Sequence, residues 1–339
     1  MRAVVFLGGH ELEIRDFPDP TPGVGEVVVE IKASGMCGSD LIGYRAPKER
    51  MTTPVIGGHE PCGVVAAVGP SVPEALARPG MRVMVFHFTG CGVCNHCRTG
   101  WPQLCRQMVA YGRMGHGGHA QFMKVPAHTL LPLPDELSFE VGAAVSCGTG
   151  TAWAALKRMG ISGDHTIAVF GQGPVGLSGT QLAKAMGARV IALDVSDARL
   201  TLAKQMGADV TINPKKDDPI KAIHDLTHGD GADLTMDCSG NADARLAAVR
   251  STRTWGTVGF VGEGGKLTLD VSPDLLRRQL TVVGSWTFSI AGQAECARFV
   301  ADRRIPVERL FTHRYRLEQA EEAYKLFDTQ STGKGVFLF

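Results

Sequence analysis

The chain has 339 residues, 35 of them Lys or Arg and 34 Asp or Glu, for a formal charge of +1. It is long enough for two domains with proper cores, and with no basic stretch it indicates neither a nucleic-acid nor a membrane-surface partner. The opening MRAVVFLGGHELEIRD lacks the apolar core and cleavage site of a secretory signal, and no apolar run approaches the ~18–20 residues that cross a bilayer, so a soluble cytoplasmic protein is expected.

In chain order, EVVVEIKASG (26–35), CGVVAAVG (62–69) and RVMVF (82–86) read as short strands. They are bounded by the turn clusters PTPGVG (20–25), GGHEP (57–61) and RPG (78–80). Residues 1–145 therefore read as a barrel-like or folded β sheet. From about residue 150 strands alternate with helices. HTIAVFG (165–171) leads to a helix ending at Met186, ARVIALD (188–194) to a helix ending near Met206, and ADVTIN (208–213) to a helix near 218–228. ADLTMDCSG (232–240), a helix near 242–252, GTVGFVG (256–262) and LTVVGSW (280–286) complete the series. That alternation predicts a parallel sheet covered by helices. Two amphipathic helices, near 290–303 and 317–328, and a final strand GVFLF are expected to rejoin the first domain.

Gly171-Gln172-Gly173-Pro174-Val175-Gly176 follows a strand and opens a helix. Gly171 permits the tight turn, Gly173 lets a pyrophosphate approach the backbone, and Gly176 brings helix against strand. The N–H groups of the helix N-terminus then face the phosphates. The next strand ends in Asp194, eighteen residues beyond Gly176, where a carboxylate can accept from both ribose hydroxyls and repels a 2′-phosphate. The pattern predicts an NAD site.

Nine cysteines in a reducing compartment point to metal rather than disulfides. Cys91-x2-Cys94-x2-Cys97-x7-Cys105 can close four thiolates on one zinc ion and leave no position open, which makes a structural site, with His96 turned to solvent. Cys37 in GMCGSD, His59 in GGHE and Cys147 in SCGTG stand in three further turns. By spacing alone each is more readily a packed side chain than a ligand.

The combination of CGSD, GGHE, the four-cysteine loop, SCGTGTAW and GQGPVG with Asp194 resembles the zinc-dependent medium-chain alcohol dehydrogenases, over essentially the whole chain. Its length and CGSD form look more like the bacterial alcohol, polyol and threonine dehydrogenases. The resemblance implies an α/β fold: a β-rich GroES-like catalytic domain over 1–148, a doubly wound Rossmann domain over 149–288, and a segment 289–339 that rejoins the first. It places Cys37, His59 and Cys147 as ligands of a catalytic zinc, Glu60 beside the metal or as alternative fourth ligand, and Asp40 orienting His59. Cys147 stands where the polyol and threonine enzymes generally have glutamate.

Two thiolates and an imidazole would leave one position open, where an alcohol is acidified. Ser39 would take its proton, and hydride would pass to the nicotinamide. Val175 is expected behind that ring, Thr151 on its catalytic side, and Arg199 with Asp194 in the cofactor set. Ile42 stands where many relatives carry a proton-relay histidine. His87, Phe88, Tyr44, Trp101, Tyr111 and Trp286 are expected pocket walls by the same likeness, and His87 would favour a polar alcohol. The implied assembly is a homo-oligomer, a tetramer rather than a dimer, with LTVVGSW pairing across a two-fold axis. The expected reaction couples a small alcohol or carbonyl to NAD. A zinc-free quinone or enoyl reductase and a non-enzymatic zinc- and NAD-linked redox sensor are the competing readings.

Overall fold

Strand Glu26–Gly35 carries three consecutive valines and an isoleucine, and its neighbours are assembled on it. In the computed structural model, which describes all 339 residues, this strand pairs antiparallel with Glu60–Val68, Phe122–Pro126 and Lys334–Leu338. The full sheet runs in the order 311–315, 334–338, 26–35, 60–68, 82–85, 130–132, with 122–126 off that path. Val27, Val29 and Ile31 pack with Val65, Val83, Val85 and Met123. A second cluster gathers Phe6, Tyr44, Tyr315, Tyr324 and Phe337. These belong to a unit of residues 1–150, 289–330 and 334–339.

The other unit comprises residues 151–288 and 331–333. Its six strands are all parallel, in the order 210–212, 189–193, 166–170, 232–237, 252–260, 281–284. Strand order reverses between Thr166–Phe170 and Ala232–Asp237, the place in an open parallel sheet where a ligand crevice forms. The helices between the strands start where their sequences say they should. Gly173 precedes Pro174 at the first turn of Pro174–Ala185, and the Ser196 side chain caps Asp197–Gln205. Asp218 and Asn241 each accept two backbone N–H groups at the starts of Pro219–Leu226 and Ala242–Ser251.

Several elements differ from the sequence reading. An antiparallel hairpin of Arg2–Gly8 and Glu11–Asp16 was not among the expected strands. Its turn runs through Gly8, Gly9 and His10 at φ of 74°, 60° and 64°, a backbone that a glycine pair makes affordable. Phe139–Val145 is a helix inside the stretch read as β-rich, and Gly148–Arg158 is a second one ahead of the first strand of the alternating series. Strand Thr252–Phe260 starts four residues before GTVGFVG, with a register shift opposite Ala232/Leu234. ADVTIN shortens to Val210–Ile212, and the helix expected at 317–328 is a 3-10 turn, Leu317–Gln319, followed by Ala320–Asp328.

Phe170, 2% exposed, lies in the apolar cluster of the parallel sheet with Ile191, Ile223 and Val258. Phe170→Ala is expected to destabilise that unit by about 3–5 kcal/mol in urea unfolding, since truncation leaves a cavity that a close-packed core fills poorly.

Candidate metal and dinucleotide sites

In the first unit the four-cysteine loop is folded by two tight turns, Asn95–Arg98 and Pro102–Leu104. The sulfurs of Cys91, Cys94, Cys97 and Cys105 lie within 4.8 Å of one another. A tetrahedral zinc with bonds of ~2.3 Å needs sulfurs about 3.8 Å apart. Backbone N–H groups aim at these sulfurs: Cys94 N at Cys91 Sγ (3.4 Å), Cys91 N at Cys105 Sγ (3.5 Å) and Gln107 N at Cys105 Sγ (3.3 Å). The N–H donors of Cys91 and Gln107 hold the Cys105 thiol down to about 6, the direction that favours thiolate. Gly90 leaves them room, because a Cβ there would sit 2.7 Å from Cys97 Sγ. His96 is exposed.

The second cluster draws on three separate turns. Gly35 stands opposite Glu60 in the antiparallel pair, so the end of one strand and the start of the next carry Cys37 and His59 to the same place. Cys147 joins them from the link between helices Phe139–Val145 and Gly148–Arg158. One donor atom from each of Cys37, His59, Glu60 and Cys147 lies within 4.8 Å of the others. Cys37 Sγ is 3.9 Å from Cys147 Sγ, which is 3.4 Å from His59 Nε2. Ser39 Oγ stands 3.4 Å from Cys37 Sγ and 3.3 Å from His59 Nε2. The Cys147 thiol and then His59 hold Cys37 well below the usual thiol range, against its burial. The same contact and burial push Cys147 well above it. Burial opposes a charge on His59, and Asp40 and Cys37 outweigh it, raising that imidazole well above its ordinary value.

Glu60, fully buried, faces the ammonium of equally buried Lys334, which also donates to Met36 O at 3.0 Å. Burial pushes the Glu60 carboxyl up, and Lys334 works against that. Oxygen Oε1 of Glu60 has no hydrogen-bond partner. An orphaned carboxylate oxygen beside two sulfurs and an imidazole fits a cation there.

His87 Nδ1 bonds Ser146 O at 2.7 Å, and its ring lies 5.6 Å from that of His59. Burial, then His59, pushes it down to about 3, so it stays neutral. Tyr44 and Tyr111, two other expected pocket walls, are 2% and 6% exposed and pack within two apolar clusters. Trp286, 41% exposed, donates from Nε1 to Glu263 Oε1 at 2.5 Å. Phe88 is buried, Trp101 half-buried and Ile42 49% exposed.

In the second unit Gly171 adopts φ +90°, and its hypothetical Cβ would lie 2.9 Å from Ser239 Cβ. At Gly176 a Cβ would collide with Gly171 O, whereas at Gly173 it would meet nothing within 4 Å. The loop is thus braced on one side and open at Gly173. The helix behind it has no side-chain cap, and its Pro174-Val175 start is half-buried. Asp194, 7% exposed, accepts from Gln172 N (2.6 Å) and Ser196 N (2.9 Å). Arg199 Nη1 is 3.9 Å from Asp194 Oδ2, and Arg199 Nε is buried without a partner. Thr151 is buried. Uncapped N–H groups, an open glycine and an orphaned guanidinium nitrogen fit a dinucleotide.

The zinc-binding dehydrogenase family model matches residues 174–302, and the alcohol dehydrogenase GroES-like domain model matches residues 23–135. An uncharacterized zinc-type alcohol dehydrogenase-like protein, YphC of Escherichia coli K12, is 40% identical over 351 aligned positions, covering 100% of this chain and 99% of that one. The chain belongs to the zinc-dependent medium-chain alcohol dehydrogenase family. L-threonine 3-dehydrogenase of Pyrococcus horikoshii is 32% identical over 97% of this chain and 96% of its own. A solved NAD-dependent alcohol dehydrogenase superposes with a TM-score of 0.88 at 32% identity, each chain covered fully. The fold is accordingly the family's, a parallel Rossmann sheet with a GroES-like β domain.

Lys334, Tyr324 and His119 escaped the sequence reading. A lysine at the start of the apolar run GVFLF was the available signal for the first, and nothing local distinguishes the other two. Lys334→Met is expected to cost about 3–5 kcal/mol by leaving a buried carboxylate without its cation, and Lys334→Met/Glu60→Gln should recover most of it. Thermal or urea unfolding of the three proteins reads this directly. Equal loss in the single and double variants would contradict the pairing.

Proposed function

We propose that this protein is an NAD-dependent zinc alcohol dehydrogenase interconverting a primary or secondary alcohol, or a polyol, with its aldehyde or ketone. The observation that carries the reading is the meeting of Cys37, His59, Glu60 and Cys147 within 4.8 Å. On this reading residues 1–148 are the catalytic domain, 149–288 the NAD-binding domain, and 289–339 return to the first.

Zinc would supply the positive charge that acidifies a substrate hydroxyl, and NAD the hydride acceptor. Cys37, His59 and Cys147 would hold the metal, with Glu60 beside it or as an alternative fourth ligand. Asp40, 2.8 Å from His59 Nδ1, fixes the tautomer that presents Nε2. Ser39, within 3.4 Å of both Cys37 and His59, takes the substrate proton, and with Ile42 unable to carry it further the proton passes to water. Neutral His87 beside His59 supports a polar alcohol as substrate. Gly171, Gly173 and Gly176 with the Pro174–Val175 turn receive the pyrophosphate, Asp194 and Arg199 the adenosine ribose, and Thr151 the nicotinamide side. The four-cysteine loop would hold a second, structural zinc.

No helix is long and apolar enough to cross a membrane. Clustering of six of the nine cysteines in two candidate metal sites supports a reducing, cytoplasmic setting. Strand Thr281–Gly284 pairs on one side only, and Val282 and Trp286 at this edge are 48% and 41% exposed. An open apolar edge supports pairing with a second copy, and we infer a homo-oligomer, a tetramer rather than a dimer.

The test is NAD⁺ reduction against a panel of alcohols, diols, sugar alcohols and hydroxy acids. At least one should be oxidised, and Ser39→Ala should lower kcat about 10²-fold with zinc content and NADH binding unchanged. Turnover that survives Cys147→Ser would contradict the reading. Asp194→Asn should shrink the preference for NADH over NADPH by about tenfold or more, read from binding constants, because a charged acceptor is worth about 1.5–3 kcal/mol.

A further inference from the structure

Behind His59 runs a chain of buried hydrogen bonds that extends well past the metal. His59 Nδ1 lies 2.8 Å from Asp40 Oδ1. The other oxygen, Asp40 Oδ2, accepts from Cys37 N at 2.8 Å and from the Tyr324 hydroxyl at 3.2 Å. Tyr324 Oη is 2.7 Å from His119 Nε2, and His119 Nδ1 is 2.8 Å from Ser34 Oγ. Ser34, His119 and Tyr324 are each 0% exposed.

The proton directions in this chain follow without choice. A carboxylate only accepts, so His59 Nδ1 and the Tyr324 hydroxyl both donate to Asp40. The phenol has a single hydrogen, already given to Asp40, so His119 Nε2–H donates to Tyr324 Oη. Burial pushes His119 down to about 4, so the ring is neutral, its Nδ1 accepts, and Ser34 Oγ–H donates to it. Every donor points toward one carboxylate. The local backbone is shaped for this: Gly58, beside His59, has φ +80°, and a Cβ there would lie 2.6 Å from His119 Cε1. Tyr324 itself arrives on helix Ala320–Asp328, far along the chain.

We propose that Tyr324 and His119 are positioning residues that act through Asp40 to set how strongly His59 donates to the metal. This rests on the reading of Cys37, His59 and Cys147 as zinc ligands. A carboxylate that shares its charge among three donors pulls less on the imidazole N–H than one with two. Without the phenol hydroxyl, Asp40 pulls harder on His59, the ring becomes the stronger donor, and less positive charge is left to acidify a substrate hydroxyl. The charged and titratable groups around the chain are Cys37, Glu60, His59 and Lys334. None of them hydrogen-bonds to Tyr324 or His119, so a change confined to the phenol hydroxyl reaches the metal by way of Asp40.

The experiment compares the zinc-loaded enzyme with Tyr324→Phe, which removes one oxygen, and with Tyr315→Phe, which removes a hydroxyl from the same aromatic cluster. Zinc content and zinc loss to a chromogenic chelator are measured first, then the pH midpoint of kcat/KM. Tyr324→Phe should keep both zincs and move the midpoint up by about 0.5–1 unit, while Tyr315→Phe leaves it in place. His119→Gln, whose amide N–H can replace Nε2–H, should stay near the wild-type midpoint. Faster zinc loss from Tyr324→Phe with an unmoved midpoint would show a packing role and overturn the proposal. Wild-type protein holding zinc only in the four-cysteine loop would overturn the metal reading as well, which separates the two failures.

Discussion

Two sulfurs, an imidazole nitrogen and a carboxylate oxygen held within 4.8 Å of one another in a buried place make an arrangement that repels itself unless positive charge is provided. The groups around this point divide that task. Lys334 answers Glu60, and Asp40 is answered by three hydrogen bonds, from Cys37 N, Tyr324 and His59. What remains is a pair of thiols whose proton affinities are driven in opposite directions by their mutual contact. A divalent cation relieves that contact, since it replaces a shared proton with two thiolate bonds. The surrounding fold serves this point: an antiparallel strand pair sets Cys37 beside His59, and Gln293 of helix Ile290–Asp302 donates to Ser146 Oγ at 3.1 Å, next to Cys147.

The four-cysteine loop solves a simpler problem by different means. All its donors come from one short stretch, and backbone N–H groups of that stretch steady the sulfurs. Four thiolates close the coordination sphere, so the loop can hold shape and cannot take a substrate. The scattered cluster mixes donor types and includes a hydroxyl, Ser39, that no tetrahedral ligand set requires. From that contrast we infer chemistry at the scattered cluster and scaffolding at the loop.

The parts of this chain legible from sequence are those whose determinants lie close together. The glycine loop after Thr166–Phe170 and the four-cysteine spacing each announce themselves within about twenty residues, whereas the family likeness was legible from motifs spread between Cys37 and Asp194, whose order and spacing agree. Helix starts have equally local determinants, Pro174 in the first turn and the capping side chains of Asp218 and Asn241. Tyr324 and His119 were not, because a tyrosine on an amphipathic helix and a histidine after Gly117-Gly118 look like ordinary core residues until the fold joins them at 2.7 Å across 205 positions. Lys334 is similar: its charge suggests a surface, and only the pairing of Lys334–Leu338 with Glu26–Gly35 buries it against Glu60. Tyr44 and Tyr111, named as pocket walls by likeness alone, lie in apolar clusters whose members come from distant parts of the chain, which no local pattern announces.

The most direct measurement is zinc K-edge X-ray absorption on the purified protein, with metal content determined on the same sample. Four sulfurs in the loop and two in the scattered cluster give six over two ions, so the account predicts two zinc per chain and an average of three sulfurs to one nitrogen or oxygen ligand. A single zinc with four sulfurs, or two zincs averaging far fewer than three sulfurs, would contradict it.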